Sequence, residues 1–247
     1  MQTEEYRAMF ELEESLWWYD GMRAVTAAIL NNHLKRSERL RLLDVGCGTG
    51  YSLAWLRERL GAEGFGVDLS RLAAEFWRER GLDTGAVASA ASLPFVSAAF
   101  DLVTCFDVIY QLDFDEARSA VREMRRVLKP GGLLFIREPA YQWVRGPHDV
   151  AVGTRHRYTL GELRRLLDSE GLTPRRATYA NTLLFGAATA HRLMSRLTRA
   201  EGSDVKPVPE WMNRGLAAAL KLEARLLKRV TFPFGLSAIA LAEKPLR

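Results

Sequence analysis

Short, continuously apolar runs alternate with longer amphipathic segments over the first 140 residues of this 247-residue chain. The apolar runs have the length of strands buried on both faces, whereas the segments between them follow the 3.6-residue period of a helix. Such alternation is typical of a parallel sheet that is covered by helices on both sides. The predicted strands are 40–46, 64–70, 84–88, 99–106 and 133–139, and the predicted helices are 51–60, 70–81 and 115–129.

The pattern is less regular at both ends of the chain. Residues 3–34 read as a helical segment with a break near Asp20-Gly21, where a glycine weakens the helix. Beyond residue 140 the pattern predicts a helix over 159–172 with Thr159 as its cap, strands over 173–180 and 235–243, and two helices between these strands.

Composition limits the class of protein. Hydrophobic residues make up 48% of the chain, which is enough for one sizeable core. No stretch of about 20 residues is free of charge, so we expect no stable membrane insertion, and the acidic, amphipathic start is unlike a signal peptide. The two cysteines lie in apolar runs, which favours reduced thiols and a cytoplasmic protein. No His/Cys cluster has the spacing of a metal site.

The net charge of +5 is concentrated near the carboxyl end. Residues 191–229 hold nine Lys or Arg and four Asp or Glu, and the remainder of the chain is close to neutral. A nucleic-acid binder is expected to spread its basic residues along a groove. The distribution therefore gives no reason to expect a nucleic-acid partner.

The stretch LLDVGCGTG, residues 42–50, joins the first strand to a glycine-rich turn that lets a ligand approach the backbone closely. A dinucleotide loop needs a small residue at position 51, where this chain has the bulky Tyr51. Asp44 would also place a carboxylate beside a pyrophosphate. Asp68 ends the second strand, where a carboxylate can accept hydrogen bonds from ribose hydroxyls. The loop therefore favours a nucleoside with a cationic, phosphate-free end.

Four motifs carry a family resemblance: LLDVGCGTG, GVDLS, ASLPFVSAAFDLVTCFDVIYQL and RRVLKPGGLLFIREP. Together they resemble the class I S-adenosylmethionine-dependent methyltransferases, and more closely their type 11, small-molecule branch. The resemblance spans about residues 40–140. It implies an α/β, Rossmann-like fold with a seven-stranded, mostly parallel sheet of order 3-2-1-4-5-7-6. It also implies S-adenosyl-L-methionine as cofactor and S-adenosyl-L-homocysteine as product.

The resemblance also implies which residues hold this cofactor. The glycine loop passes under the homocysteine part, Asp44 lies near the amino group, Asp68 binds the ribose and Leu69 packs on the adenine. Ser89 stands where the family usually has an acid that accepts from the adenine amino group, so we expect weaker adenine contacts there. The full predicted set is Arg23, Asp44, Gly46, Cys47, Gly48, Gly50, Asp68, Leu69, Ser89, Ala90, Phe106 and Asp107.

The segment EESLWWYDGMR is similar to one that precedes the glycine loop in a subgroup of the family. Arg23 is well placed there to bind the cofactor carboxylate with two hydrogen bonds, although a plain surface charge is an alternative. Because adjacent helical residues point in different directions, we expect only one of Trp17 and Trp18 to face the site. Cys47 reads as a small buried hydrophobe rather than a nucleophile.

A hydroxyl acceptor would need a general base, whereas a neutral amine or a thiolate would not. The candidates for catalytic residues are His148, His156, Tyr110 and Tyr19. His148 and His156 fall in the loop after the fifth strand, at the sheet edge where ligands bind in open α/β folds. A structural role in a Gly-Pro turn is an alternative for His148.

We expect a single methyltransferase domain over 1–247, with its core at about 35–180 and 234–247. Residues 1–32 and 181–233 are predicted to form a helical cap, because the sixth strand opens on the same edge as the glycine loop. The cap would give an acceptor site an apolar lining. A homodimer interface, a satellite core and a loosely membrane-bound basic helix are alternatives. The lining expected is Leu183, Leu184, Phe185, Met194, Leu197, Trp211, Met212, Phe232 and Phe234.

The hypothesis that best fits the sequence is methyl transfer to a small, moderately apolar acceptor, at O, N, S or C. A nucleic-acid or protein methyltransferase is one rival, although CFDVIY replaces the Asn/Asp-Pro-Pro-aromatic tetrad of many amino-methylating enzymes. A dehydrogenase is a second rival, which Asp44 and Tyr51 disfavour. The third is a non-methylating protein that uses the same cofactor, because the motifs specify the cofactor and not the reaction.

Overall fold

The computed structural model describes residues 3–34, 39–146, 149–150, 152–197 and 207–246. Helices and strands alternate through most of this range, as the apolar runs predict. The strands are β1 (Arg41–Val45), β2 (Glu63–Asp68), β3 (Gly85–Val87), β4 (Phe100–Phe106), β5 (Leu128–Pro139), β6 (Thr173–Ala180) and β7 (Ser237–Glu243). The helices are α1 (Thr3–Leu12), α2 (Trp17–Leu30), α3 (Tyr51–Leu60), α4 (Ala73–Glu79), α5 (Phe114–Val127), α6 (Leu160–Ser169), α7 (Phe185–Leu197) and α8 (Glu210–Leu227).

The seven strands form one sheet of order β3-β2-β1-β4-β5-β7-β6, which confirms the predicted topology. Strand β7 runs antiparallel to both β5 and β6, and the other pairings are parallel. Strands β1, β4 and β5 are almost wholly buried on both faces, which explains their continuous apolar runs. The carboxyl ends of β1 to β6 therefore share one edge, where ligands bind in open α/β sheets.

Two helices on the sheet begin at capping boxes that fix their first turns. Asp113 accepts from the backbone N–H of Glu116, whose carboxylate accepts from the N–H of Asp113, at the start of α5. Thr159 and Glu162 form the same reciprocal pair at the start of α6, which confirms the predicted cap. Each box satisfies two amide groups that have no partner within the helix.

The break in the amino-terminal segment was predicted in the wrong place. It lies between Leu12 and Trp17, and Asp20 and Gly21 are within α2. Gly21 is needed for packing instead, because a Cβ at this position would overlap the side chain of Leu220 on α8. The glycine thus lets α2 and α8 approach each other closely.

Two polar side chains on α8 join the cap to its neighbours. The Asn213 side chain accepts from the N–H of Trp17 at 2.8 Å and donates to the carbonyl of Ser15 at 2.9 Å. Asn213 therefore supplies, from another helix, a hydrogen-bond acceptor for the first N–H group of α2. Fully buried Glu223 accepts from the N–H groups of Thr182 and Leu183 at 2.8 and 3.0 Å, which fixes the turn after β6.

Among the residues that the structure describes, no helix is both long and apolar enough to cross a membrane. Both cysteines, Cys47 and Cys105, are free and buried.

Candidate active site

A cavity of about 860 Å³ opens at the carboxyl edge of the sheet. Its walls come from the glycine loop after β1, the ends of β2, β4 and β5, helices α1 and α2, and the cap helices α7 and α8. The volume lies in the upper part of the range of small-molecule sites. The sheet edge and the cap therefore enclose one continuous space.

The glycine loop forms the floor of this cavity. Gly46 and Gly48 have φ angles of 73° and 54°, in the left-handed region that favours glycine. The loop is held to β2, because the N–H groups of Gly46 and Cys47 both donate to the carbonyl of Val67. Gly50 does not line the cavity, since a Cβ there would meet Leu82 and Trp77. Burial raises the pKa of the Cys47 thiol well above its ordinary value, which agrees with an inert residue.

Asp68 lies at the end of β2 and lines the cavity. Its Oδ2 accepts from the N–H of Gly48 at 2.9 Å, and its Oδ1 accepts from the N–H of Ser70 at 2.9 Å. Oδ1 also accepts from the hydroxyl of Tyr6 on α1 at 3.0 Å. The carboxylate is thus oriented by the backbone and covered by a tyrosine.

Asp44 lies at the end of β1 and is almost fully buried. Its Oδ1 accepts from the hydroxyl of Thr104 at 2.6 Å. Burial raises the pKa of Asp44 to about 7, although the hydroxyl of Thr104 and the charge of Arg137 oppose this effect. A cationic ligand beside Asp44 would favour its ionised form.

Arg23 faces the cavity from α2 and is tied to the segment that connects α1 to α2. Its guanidinium donates to the carbonyls of Glu13 and Glu14 at 2.7 and 3.1 Å and lies 5.0 Å from the centre of the Tyr51 ring. These contacts fix the group and leave other N–H donors that a carboxylate could use. Trp17 and Trp18 both line the cavity, so the expectation that only one would do so is wrong.

On the predicted adenine side, Leu69, Ser89 and Ala90 all line the cavity. Leu69 is 72% exposed in the described chain, which leaves its side chain available for contact with a flat ring. The Ser89 hydroxyl accepts from the N–H of Ala91 at 3.1 Å, and this bond places the serine in a local turn.

After β4, Phe106 and Asp107 line the cavity together with Arg137 of β5. Asp107 has a φ of 56° and accepts from Arg137 Nε at 2.9 Å. The guanidinium of Arg137 also lies about 5 Å from the ring centres of Trp18 and Phe106. The ion pair therefore forms a rigid wall between two aromatic rings.

The predicted catalytic residues are only partly brought together. Tyr19 and Tyr110 line the cavity, whereas His156 does not and lies 3.4 Å from Glu162. His148 lies outside the described residues. Burial raises the pKa of Tyr110, whose hydroxyl oxygen accepts from Gln111 Nε2 at 2.8 Å. Tyr110 is therefore poorly suited to act as a base near neutral pH.

Helix α1 and the residue that follows it supply site residues that the sequence pattern does not reveal. Tyr6, Met9 and Glu13 line the cavity, and buried Glu13 accepts from the hydroxyl of Thr49 in the glycine loop. Glu13 also accepts from Arg80 at 2.7 Å, and burial raises its pKa. These contacts cross 36 to 67 positions of sequence, so no local motif reports them.

Asn181 is another site residue that no motif marks. It is 2% exposed, has a φ of 60° and lines the cavity at the end of β6. Its amide nitrogen donates to Ser237 Oγ at 3.2 Å and to Met22 Sδ at 3.4 Å. Its side-chain oxygen is buried and has no hydrogen-bond partner among the described residues.

The apolar lining of the cap differs from the expected one. Of the eight expected residues whose side chains the structure describes, only Leu184 lines the cavity, and Leu183, Met194, Trp211 and Phe234 are exposed. The side chain of Leu197 is outside the described part of the structure. Leu236, just before β7, also lines the cavity. The apolar residues that line it from α2 and the cap are Leu16, Trp17, Trp18, Met22, Leu184, Ala188, Val208 and Leu216.

No group of His, Cys, Asp and Glu side chains within the described ranges has the geometry of a metal site.

Residues 43–136 match the family model described as a methyltransferase domain. The chain is 38% identical over 104 residues to the methyltransferase GfsG of Streptomyces halstedii, with 39% of this chain and 36% of that protein covered. The O-methyltransferase cnsE of Penicillium expansum is 33% identical over 136 residues, with 49% of this chain and 48% of that protein covered. The chain thus spans half or less of these two curated relatives.

Solved structures extend the likeness to the whole fold. The [4+2]-cyclase SpnF superposes with a TM-score of 0.58 and 25% identity over 91% of this chain and 81% of that chain. A putative methyltransferase of Haloferax volcanii, solved with the Trm112 activator, superposes with a TM-score of 0.64 and 20% identity over 98% and 95%. The match to a methyltransferase domain and the sheet order agree with the resemblance to the class I S-adenosylmethionine-dependent methyltransferases.

Proposed function

We propose that this protein transfers the methyl group of S-adenosylmethionine to a small, moderately apolar molecule bound under the cap. One observation carries the proposal: a single cavity joins Asp44, Asp68 and the glycine loop to a wall of tryptophan, leucine and methionine side chains. An acceptor that enters this space lies on the same side of the sheet as the methyl donor. The names of similar proteins, among them an O-methyltransferase, agree with a small-molecule acceptor.

The residues present fit the cofactor. Gly46 and Gly48 line the cavity without side chains and so form a cradle of bare backbone, and Val108 leaves no room for a Cβ at Gly46. The carboxylates of Asp44 and Asp68 lie beside this cradle, which suits a cationic nucleoside better than a phosphate. In the proposal Asp68 holds the ribose hydroxyls and Asp44 the ammonium group. Arg23 holds the carboxylate and Leu69 the adenine.

The cofactor supplies a methyl group on an activated, positively charged sulfur. The protein then has to align the acceptor and exclude water. Trp17, Trp18 and Met22 line the cavity on the α2 side, and the Asp107–Arg137 pair extends this wall beside Trp18.

The described lining residues favour an acceptor that can attack the methyl group without first losing a proton to a base of the protein. Tyr110 has a raised pKa, and His156 lies outside the cavity. An amine, a thiolate, an activated carbon or an already ionised hydroxyl meets this condition. Tyr19 remains a candidate for orienting the acceptor. A cytoplasmic location and a homodimer through the cap remain predictions.

The test is release of S-adenosylhomocysteine from S-adenosylmethionine in the presence of a fractionated metabolite extract. We expect release only when an acceptor fraction is present, and we expect its loss in Asp68→Asn. The matched control is Asp101→Asn, since Asp101 pairs with Lys129 far from the cavity lining. Failure of the folded wild-type protein to bind the cofactor in calorimetry would refute the proposal.

The likeness to the [4+2]-cyclase SpnF supports a second candidate, a reaction that uses the cavity without methyl transfer. Calorimetry of cofactor binding, together with measurement of acceptor conversion and S-adenosylhomocysteine release, distinguishes this candidate from methyl transfer. Tight cofactor binding combined with conversion of an acceptor fraction, and with no S-adenosylhomocysteine, would favour this candidate.

A further inference from the structure

The outer surface of α8 carries a stripe of exposed apolar side chains. Trp211, Leu222 and Leu226 are 73%, 50% and 44% exposed, and Val230, just beyond the helix, is 46% exposed. At about 100° per residue, the three helical members fall within about 60° of the helix circumference. Apolar residues this exposed on one face of a helix are typical of an interaction surface.

A basic flank lies directly beside the stripe. Arg214, Lys221, Arg225 and Lys228 are exposed and, by the same geometry, occupy about 60° of the helix surface next to the apolar residues. Arg214 pairs with Glu210, and Lys221 pairs with Asp20.

The stretch from residue 211 to 230 contains five basic residues and one acid. That acid, Glu223, is fully buried and accepts from the N–H groups of Thr182 and Leu183. In the sequence this glutamate interrupts the basic pattern, but in the structure it faces inward. The outer face of residues 211–230 is therefore apolar and cationic, and the acids at its border are Glu210 and Asp20, which pair with Arg214 and Lys221.

We propose that this face, residues 211–230, docks on a membrane surface that contains anionic lipids. A helix lying in the interface buries its apolar stripe in the acyl boundary while its basic flank contacts the headgroups, and tryptophan prefers this region. A two-fold dimer through the same face would bring two sets of five cations together. A soluble anionic partner would use the basic flank but leave the leucine stripe in water.

The same helix lines the cavity through Leu216. Docking would therefore hold the cap against the layer from which an apolar acceptor enters. This inference goes beyond the proposed function and does not depend on it, because vesicle binding is measured without an acceptor.

The experiment is co-sedimentation of the full chain with vesicles of phosphatidylcholine alone or mixed with phosphatidylglycerol. We expect binding to the anionic vesicles, weakened by salt. Each exposed cation strengthens binding to an anionic surface about fivefold, so Arg225→Gln/Lys228→Gln should weaken binding about 25-fold. The matched control is Arg164→Gln/Arg165→Gln, on the exposed side of α6. This control should change vesicle binding less than about twofold. Leu222→Ser/Leu226→Ser leaves the net charge unchanged and should still weaken vesicle binding, because it removes apolar side chains from the stripe.

Cofactor calorimetry and circular dichroism on every variant check that the fold is intact. The proposal is overturned if the wild-type chain does not bind anionic vesicles, or if the α6 control loses as much affinity as the α8 variant. It is also overturned if Leu222→Ser/Leu226→Ser instead dissolves a dimer seen by light scattering, or if RNA binds the face more tightly than the vesicles do.

Discussion

Replacing Asp44 by asparagine is expected to stabilise the cofactor-free protein while weakening cofactor binding. Asp44 is buried with one protein donor, the hydroxyl of Thr104, and burial raises its pKa from 3.8 to about 7. Below about pH 4 the carboxyl is protonated in both the folded and the unfolded chain. Between about pH 4 and 7 the unfolded chain releases this proton and the folded chain keeps it, so the free energy of unfolding falls as pH rises.

The size of this effect follows from the shift. One pKa unit corresponds to about 1.4 kcal/mol, so ionised Asp44 costs the fold at most about 4 kcal/mol above about pH 7. The asparagine amide keeps an oxygen that can accept from Thr104 and carries no charge at any pH. For a chain of this length, a gain of about 4 kcal/mol raises Tm by about 8–16 °C.

The assay is thermal unfolding of the cofactor-free wild-type and Asp44→Asn proteins from about pH 4.5 to about pH 8.5. The difference in Tm should be small at the acidic end and largest at the alkaline end. Calorimetry with S-adenosylhomocysteine should show wild-type affinity falling about tenfold from about pH 8 to about pH 6, as the ionised fraction of Asp44 falls. Equal Tm differences at all pH values, or undiminished affinity in the Asp44→Asn protein, would refute the reasoning.

Three further substitutions test the packing around the site. Gly21→Ala should lower the free energy of unfolding by about 1–3 kcal/mol in urea titration, because the added methyl overlaps Leu220. An unchanged free energy of unfolding would contradict the close packing of α2 on α8. Tyr6→Phe should tighten S-adenosylhomocysteine binding about twofold to tenfold, because it removes one of the two donors to Asp68 Oδ1. Weaker binding would mean that the tyrosine assists in holding the ribose. Glu138→Leu should lower the free energy of unfolding by about 2 kcal/mol or more, because three backbone N–H groups lose their acceptor. An unchanged midpoint in urea titration would contradict this structural role of Glu138.

The sheet and its ligand-binding edge are predictable from the sequence because strand periodicity and strand ends are local properties. Asp44 and Asp68 each follow a buried run, so their neighbouring positions at the sheet edge follow from the parallel order. The contact of Tyr6 with Asp68 crosses 62 positions and rests on how α1 packs. No periodicity encodes such a contact.

The cap lining is unpredictable for a different reason. A stripe of apolar residues on a helix shows that one face is apolar but not which surface covers that face. On α8, Leu216 faces the cavity, whereas Trp211 is 73% exposed. The packing of α8 on α2 decides between these directions, and the glycine at position 21 is needed for the close approach of the two helices.

Three buried acids, Glu138, Glu223 and Asp44, differ in the protein groups that satisfy them. Glu138 accepts from three backbone N–H groups, and Glu223 accepts from two. Neither lines the cavity, and both hold turns. Asp44 lines the cavity with a single hydroxyl donor, so its charge is poorly compensated by the protein alone. A cationic ligand stabilises a buried carboxylate that has so few protein donors. Asp44 is therefore expected to lower the free energy of unfolding of the cofactor-free protein and to favour the positively charged methyl donor.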